Sequence, residues 1–396
     1  MKYACPKTAL ALLMCGGDAI VCCAQTLTSL VQFDYTNGYQ PQYDLLAQGA
    51  DGNFYGTASL GGASAQGTVF RMSPAGSLTT IHNFTFTDGE LPSGALVLEA
   101  DGTLYGTTQS GGASGVGTIY KLSPRGLTTL YSFTSADGGQ PVAGLIRGRH
   151  GHFYGTTYSG GAYARGSIFE VTPQGVLTTL HSFHSSDGSR IYGGLVQAPN
   201  GDLYGTASKG GAEQGGGRTN CCGTVFKISP EGVFGTLHIF QGPDGATPMA
   251  GLILAGDGNF YGTTSYGGAF GDGTVFRMNP EGALVTLYSF GGPDGLYPEG
   301  GLVQASDGNL YGATVLGGPS CDVSYDGCGT IFRITTAGTL TTLVFFSGAD
   351  GDGPNCTLMQ GADGSLYGTT FTGGYRGASS GDGTVFRLTL GTSGTV

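Results

Sequence analysis

Short apolar stretches, each bounded by glycine, proline, aspartate or asparagine, follow one another along the chain in a fixed order. One unit reads Ala143-Gly-Leu-Ile-Arg, Phe153-Tyr-Gly-Thr-Thr, Ser167-Ile-Phe-Glu-Val and Leu177-Thr-Thr-Leu-His-Ser-Phe, with a turn or a glycine-rich loop between stretches. β-Branched and aromatic residues fill these stretches, and no segment keeps a helical apolar period. The pattern therefore predicts four strands per unit, each of four to seven residues. The 78 glycines also oppose helices, since Gly costs about 1 kcal/mol in a helix interior.

The clearest repeated motif is a turn followed by Tyr-Gly. Its tyrosines are Tyr55, Tyr105, Tyr154, Tyr204, Tyr261, Tyr311 and Tyr367, so the seven copies lie 50, 49, 50, 57, 50 and 56 residues apart. A period near 50 residues that contains only short strands is typical of β-propeller blades rather than of helical solenoids. We therefore predict an all-β fold, a seven-bladed β-propeller formed by residues 25–390, with 391–396 as a short tail.

Both ends of the repeat region hold half a unit. Residues 27–33 match the last strand of a unit, whereas the seventh motif supplies only the middle strands, Leu366-Tyr-Gly-Thr-Thr and Thr384-Val-Phe-Arg-Leu. The two half-repeats add up to one unit. We expect the N-terminal strand to complete the last blade, because ring closure leaves no long strand edge exposed.

Large apolar residues recur once per unit and are predicted to form the core, because neighbouring sheets must interdigitate. Leu45, Leu96, Leu145, Leu195, Leu252, Leu302 and Leu358 mark the first strand; the seven tyrosines mark the second; Phe70, Tyr120, Phe169, Phe226, Phe276, Phe332 and Phe386 mark the third; Phe33, Phe84, Phe133, Phe183, Phe240, Phe290 and Phe346 mark the fourth. The tyrosines are expected to pack, with their hydroxyls bonded to polar partners.

Residues 1–24 lie outside the repeat and resemble a secretory signal peptide, with Lys2 and Lys7 before an apolar stretch and a small residue, Ala24, at its end. We predict a secreted, periplasmic or cell-surface protein, and expect a monomer with no membrane insertion after leader removal. The formal net charge of −11 argues against nucleic acid as a partner, since nucleic acids bind surfaces with clustered Lys and Arg.

Five cysteines follow the leader, all in predicted loops. Cys221 and Cys222 lie in the insertion that lengthens one unit, Cys321 and Cys328 in the insertion that lengthens another, and Cys356 in the next crossing between blades. Exported chains use such cysteines as disulfides. We expect Cys321 and Cys328 to close their own loop, and Cys221 and Cys222 to form a vicinal disulfide or to remain two thiols. The sequence has no paired CxxC motif, so it does not predict a zinc site.

Loops after the second and fourth strands of a blade emerge on one face, here called the loop face, and both insertions fall there. The crossing loops on this face repeat Asp-Gly, or Asn-Gly once, usually with a proline soon after. This motif predicts a turn; the alternative is a ring of carboxylates that binds sugar hydroxyls or a cation. The candidate ligand-binding residues are Asp88, Asp137, Asp187, Asp244, Asp294, Asp350, Asp322 and Asp326. No metal or cofactor is predicted, although this ring makes calcium possible.

No catalytic site is predicted. His82, His181 and His238 occupy a fourth-strand position that other units fill with tyrosine, and the glycine-rich loops precede strands rather than the helix N-termini that bind phosphate. The alternative is an extracellular lyase or glycan-cleaving enzyme with its site in the irregular loops 209–223, 317–329 and 350–357. Asp322, Asp326, Asp350 and Asp352 are the candidate carboxylates there.

The stretch Gly301-Leu-Val-Gln-Ala-Ser-Asp-Gly-Asn-Leu-Tyr-Gly-Ala-Thr, with Gly-Thr-Val-Phe-Arg and Leu-Thr-Thr-Leu-Tyr-Ser-Phe elsewhere, resembles the GloVer tandem repeat of bacterial exported proteins. The Asp-Gly-x-Leu-aromatic core is also similar to the sensor-propeller repeats of some two-component regulators. The first resemblance covers residues 27–390 and implies a surface or periplasmic propeller without an assigned reaction. We therefore predict an exported recognition or scaffold module that binds a carbohydrate or protein ligand on its loop face.

Overall fold

The computed structural model describes residues 25–41, 45–211, 223–319, 328–374 and 381–391. These residues form 28 strands and no helix, and the strands make seven four-stranded antiparallel sheets. Each sheet packs on the next, and the last packs on the first. The predicted seven-bladed β-propeller is therefore confirmed.

The strands follow in chain order from β1 (Thr26–Gln32), which belongs to the last blade. Blade 1 contains β2 (Ala47–Gln48), β3 (Phe54–Ala58), β4 (Thr68–Met72) and β5 (Leu78–Asn83), and blade 2 contains β6 (Glu90–Leu98), β7 (Leu104–Ser110), β8 (Thr118–Ser123) and β9 (Gly126–Ser132). Blade 3 contains β10 (Ile146–Arg147), β11 (Phe153–Thr157), β12 (Ser167–Val171) and β13 (Leu177–Ser182), and blade 4 contains β14 (Val196–Gln197), β15 (Leu203–Ala207), β16 (Thr224–Ile228) and β17 (Phe234–Ile239). Blade 5 contains β18 (Ile253–Leu254), β19 (Phe260–Thr264), β20 (Thr274–Met278) and β21 (Leu284–Ser289), and blade 6 contains β22 (Val303–Gln304), β23 (Leu310–Thr314), β24 (Thr330–Ile334) and β25 (Leu340–Phe345). Blade 7 contains β26 (Met359–Gln360), β27 (Leu366–Thr370), β28 (Thr384–Thr389) and β1.

The half-repeats close the ring as predicted. Strand β1 pairs antiparallel with β28, from Thr26 opposite Thr389 to Gln32 opposite Thr384. The Phe33 N–H then donates to the Gly383 carbonyl at 3.0 Å. The outermost strand of blade 7 therefore comes from the other end of the chain.

An edge-on aromatic pair joins each blade to the next. The fourth-strand phenylalanine of one blade meets the third-strand aromatic of the following blade, with ring centroids 5.1–5.5 Å apart and planes at 62–66°. The pairs are Phe33–Phe70, Phe84–Tyr120, Phe133–Phe169, Phe183–Phe226, Phe240–Phe276, Phe290–Phe332 and Phe346–Phe386. Such geometry suits the aromatic quadrupole, and these predicted third- and fourth-strand positions form the interblade core.

The glycine of each Tyr-Gly motif is required by this packing. A Cβ on Gly56 would lie 2.6 Å from Phe70 Cζ and 2.8 Å from Leu46 Cδ2. The second strand therefore passes directly beneath the third-strand aromatic and the first-strand leucine.

Two predictions about the first strand need correction. Leu46, which is 2% exposed, fills the core position assigned to Leu45, and Leu45 instead lines the central channel. The spacing to the turn shows the reason, because Leu46 precedes Asp51 by five residues, as Leu96 precedes Asp101.

The first strand is also shorter than the predicted four to seven residues, with two residues in every blade except blade 2. Close to the axis, the backbones of adjacent blades pack against each other, and a Cβ on Gly251 would lie 2.5 Å from the Gly194 carbonyl oxygen. The chain there leaves its own sheet to contact the neighbouring blade.

Candidate functional site

The Asp-Gly motifs of the crossing loops form turns at the outer end of each blade. Asp88 Oδ1 accepts hydrogen bonds from the N–H of Thr85 at 2.7 Å and from its hydroxyl at 3.0 Å, while Asp88 Oδ2 lies 3.1 Å from His82 Nε2. The same pairing with a strand side chain recurs as Tyr131–Asp137, His181–Asp187, His238–Asp244 and Tyr288–Asp294. Asp350 accepts from the N–H and hydroxyl of Ser347. These contacts favour the turn interpretation, and ligand binding by these aspartates stays a prediction.

Sequence reasoning assigned His82, His181 and His238 to packing and missed their carboxylate partners. The signal was present, because a His or Tyr precedes the turn aspartate by six residues in five units. Burial lowers the pKa of His82, although the Asp88 carboxylate acts in the opposite direction. The pair ties the outermost strand to the crossing loop.

Several predicted site residues lie outside the described residues, namely Asp322, Asp326, Cys221, Cys222 and Cys321. Asp352 is 1% exposed and accepts a hydrogen bond from the Cys328 N–H. The Cys356 sulfur is buried and accepts a hydrogen bond from the Thr369 N–H at 3.1 Å. The predicted disulfide pairings stay predictions.

Seven residues with left-handed backbone form a ring on the loop face, here called the left-handed ring. Gln40, Leu91, Gln140, Arg190, Thr247 and Tyr297 have φ between 53° and 56°, and Gly353 has φ 61°. Each stands in the same place of its crossing loop, two residues after the glycine of the turn. A non-glycine residue in this region costs about 1–2 kcal/mol, so six of seven blades carry backbone strain at one equivalent position.

Hydrogen bonds between blades hold this strained conformation. The Gln140 N–H donates to the Val116 carbonyl of blade 2 at 2.8 Å, and the Gln140 carbonyl accepts from the Tyr158 N–H of blade 3 at 3.0 Å. Arg190 and Tyr297 bridge their neighbouring blades in the same way. The backbone is therefore constant around the ring while the side chains differ, and those of Gln140 and Arg190 are exposed. Loops that vary on a rigid scaffold are where binding residues concentrate.

Two tyrosine pairs lie beside this ring. Tyr158 and Tyr192 have ring centroids 4.9 Å apart, and the Arg190 guanidinium lies 5.9 Å from the Tyr158 ring. Tyr266 and Tyr297 have centroids 5.0 Å apart. All four side chains are half-buried, so each pair presents part of its aromatic surface on the loop face. Sequence reasoning missed both pairs, because each joins two loops far apart in sequence.

The central channel contains a cavity of about 220 Å³ lined by the inner segments of the blades. Glycine, alanine and leucine make most of its wall, with Val142, Tyr192 and Met249. Glu299 is the one acidic or basic side chain among the described lining residues, and burial raises its pKa. Asn355 lines the same cavity and is 7% exposed, and its Oδ1 has no hydrogen-bond partner among the described residues. The channel is thus apolar except in this sector.

Blade 3 carries a different set of charges on the face opposite the loop face. The Tyr154 hydroxyl donates to Glu170 Oε1 at 2.8 Å, and His152 Nδ1 lies 2.9 Å from the same oxygen. In blades 1, 5, 6 and 7 the equivalent tyrosine donates to the aspartate of its turn, and the Glu170 position is arginine. In blade 3 the carboxylate therefore lies on the third strand and the basic residue in the turn, the reverse of those four blades. The tyrosine hydroxyl keeps a carboxylate partner in both arrangements.

Within the described ranges, no three His, Cys, Asp or Glu side chains are placed to hold a metal ion. Calcium binding stays a prediction. The part of the chain that the structure describes also has no helix long and apolar enough to cross a bilayer.

A family model described as the Gloeobacter/Verrucomicrobia repeat matches residues 19–218 and 213–396. No curated protein matches the sequence.

Solved structures with a similar fold include two proteins provisionally named 6-phosphogluconolactonases. The one from Bacteroides fragilis has 20% identity and a TM-score of 0.51, over 78% of this chain and 84% of that one. The one from Bacteroides uniformis has 18% identity and a TM-score of 0.52, over 78% and 85%. The periplasmic gluconolactonase of Pseudomonas aeruginosa has 18% identity and a TM-score of 0.50, over 88% and 98%. At these identities the likeness shows the fold alone.

Proposed function

The chain belongs to the Gloeobacter/Verrucomicrobia repeat family, and we propose that it is an exported recognition module that binds a carbohydrate on its loop face. The observation that carries this proposal is the left-handed ring. Its backbone is repeated in every blade, while its side chains change from Gln to Leu, Arg, Thr and Tyr. A repeated backbone that carries changing side chains at the loop face is typical of a binding surface.

The tyrosine pairs favour a saccharide as the ligand. The face of an aromatic ring is apolar, and so is the C–H face of a sugar ring, whereas the sugar hydroxyls need polar partners nearby. Gln140 and Arg190 are exposed next to the pair Tyr158–Tyr192, and the Ser159 hydroxyl donates to Gln140 Oε1 at 3.0 Å. Aromatic surface and hydrogen-bonding groups therefore lie side by side.

The alternative function is catalysis at the same face, and the structural neighbours give it some support. Gluconolactonase and 6-phosphogluconolactonase are names of proteins with this fold. One fold hosts many unrelated functions, so this support is an analogy of fold. Turnover of a lactone or glycan would favour the alternative.

The experiment is a glycan-array screen of the purified chain without residues 1–24, followed by titration calorimetry and turnover assays on each hit. We expect Tyr158→Ala to weaken binding about tenfold or more, since about 1.4 kcal/mol is a factor of ten. The matched control is Phe345→Ala, which removes a 44%-exposed aromatic side chain from the outer strand of blade 6. Equal loss in both variants, or binding only to protein ligands, would contradict the proposal.

Secretion is part of the proposal, and it rests on the sequence of residues 1–24. Expression of the full chain in a bacterial host, followed by N-terminal sequencing of the protein found outside the cytoplasm, tests it. A mature chain that begins near Gln25 is expected, and full-length protein retained in the cytoplasm would argue against export.

A further inference from the structure

Blades 6 and 7 place two polar side chains, Glu299 and Asn355, on the wall of the same cavity. Glu299 and Asn355 each follow the proline of their crossing loop, so they occupy equivalent positions of adjacent blades. In blades 2 to 5 this position holds Ser93, Val142, Tyr192 and Met249, and the Ser93 hydroxyl is already bonded to the Val142 carbonyl at 2.9 Å. The channel wall is thus chemically distinct in this one sector.

The two groups have few partners among the described residues. Asn355 is more than nine-tenths buried, lines the cavity and has an Oδ1 without a hydrogen-bond partner in the described part of the chain. Burial is the one resolved cause of the raised pKa of Glu299, and no neighbouring cation opposes it. Glu299 is half-buried, and a carboxylate removed in part from water is stabilised by a partner of opposite charge. A carboxyl and an unbonded amide oxygen that line the same cavity therefore mark a place for a hydrogen-bond donor from outside.

We propose that Glu299 and Asn355 bind the protonated amine of an amino sugar at the mouth of the channel. An ammonium group offers three donors and no acceptor, which complements a carboxylate and an amide oxygen. Tyr297, two residues before Glu299 in the same crossing loop, packs on Tyr266 with ring centroids 5.0 Å apart, and these rings give the sugar an apolar surface. The net charge of −11 also favours the approach of a cation. This inference rests on the proposed carbohydrate function.

The test is titration calorimetry with three trisaccharides: a β-1,4-linked glucosamine trimer, its N-acetylated form and the matching neutral glucose trimer. The glucosamine trimer is expected to bind the unchanged chain at least tenfold more tightly than either neutral trimer. This comparison changes only the ligand and needs no variant to fold. Glu299→Gln keeps the shape of the side chain and is expected to weaken binding of the glucosamine trimer at least tenfold. Glu281→Gln, which removes the same charge from an exposed turn, should change nothing.

The outcomes distinguish failure of this inference from failure of the proposed carbohydrate function. Equal binding of all three trimers, unaffected by Glu299→Gln, overturns the inference and leaves carbohydrate recognition standing. No binding of any saccharide overturns both. A lysine tripeptide can also be titrated. If it binds as tightly as the glucosamine trimer, and Glu299→Gln abolishes its binding, the site recognises an amine without a sugar ring, and the inference is overturned.

Discussion

The inner wall of the propeller contains glycines packed directly against the backbone of a neighbouring blade. Gly251 of blade 5 and Gly194 of blade 4 form one such contact. A Cβ on Gly251 would lie 2.5 Å from the Gly194 carbonyl oxygen, whereas a Cβ on Gly194 would meet nothing within 4 Å. Both glycines have backbone that other residues adopt, because neither has a φ in the left-handed region. Gly251→Ala and Gly194→Ala are therefore matched substitutions that differ in contact alone.

The magnitude follows from the distance. An ordinary contact begins at 3.4 Å, so blades 4 and 5 would have to separate by about 0.9 Å to accept Gly251→Ala. Overpacking of this kind costs about 1–3 kcal/mol. Replacing Gly by Ala also gives back about 0.4–1 kcal/mol by restricting the unfolded chain. We expect Gly251→Ala to lower the free energy of unfolding by about 1–2 kcal/mol and Gly194→Ala to raise it by about 0.5 kcal/mol.

Urea denaturation followed by circular dichroism and by tyrosine fluorescence measures both values, and coincident transitions establish that a single free energy is defined. A thermal scan gives the order of the three proteins independently. Equal stability of Gly251→Ala and Gly194→Ala would refute the argument that adjacent blades meet backbone to backbone at the axis.

Three further predictions concern loops and their anchors on the loop face. Gln140→Gly should raise the free energy of unfolding by about 0.5–1 kcal/mol, because it relieves a left-handed residue; Gln140→Ala loses the same side-chain hydrogen bond without that relief, and equal urea midpoints would contradict the strain argument. The pKa of His82 is lowered in the fold from 6.5, so the unfolded chain takes up the proton first and stability falls as the pH drops through 6.5. His82→Tyr, the residue at the equivalent position of two other blades, should therefore lose less melting temperature between pH 7.5 and pH 5 than the unchanged chain, and identical losses would contradict the assignment. Non-reducing peptide mapping should recover Cys321 linked to Cys328, and a peptide linking Cys321 to Cys221 would refute that pairing.

The fold could be predicted because each strand type has its own repeated residues. The Tyr-Gly motif, the third-strand aromatic and the fourth-strand phenylalanine recur in every unit, and each has one packing role that the structure confirms. The first strand was harder to place, because its residues serve two neighbours. Leu45 and Leu46 are both apolar, and only the distance to the turn at Asp51 decides which one enters the core.

The proposed binding surface could not be predicted from the sequence, for a physical reason. A left-handed φ at Gln140 or Tyr297 is imposed by hydrogen bonds to two other blades, and the residues themselves carry no left-handed preference. The tyrosine pairs likewise join the end of a second strand to a crossing loop more than 30 residues later. Repetition shows where the scaffold is, and a site built from positions that do not repeat has no pattern to reveal it.

The same contrast bears on how such a surface changes its ligand. The backbone of the left-handed ring is held by main-chain hydrogen bonds, which do not depend on the side chain at that position. A substitution at Gln40 or Leu91, which are half-buried, therefore alters what the loop face presents at little cost to the core pairs that join the blades. The position after the proline differs, because Glu299 and Asn355 line the wall of the central cavity. If the proposed carbohydrate binding holds, we expect recognition at the rim to tolerate many residues and recognition at Glu299 and Asn355 to require those two groups.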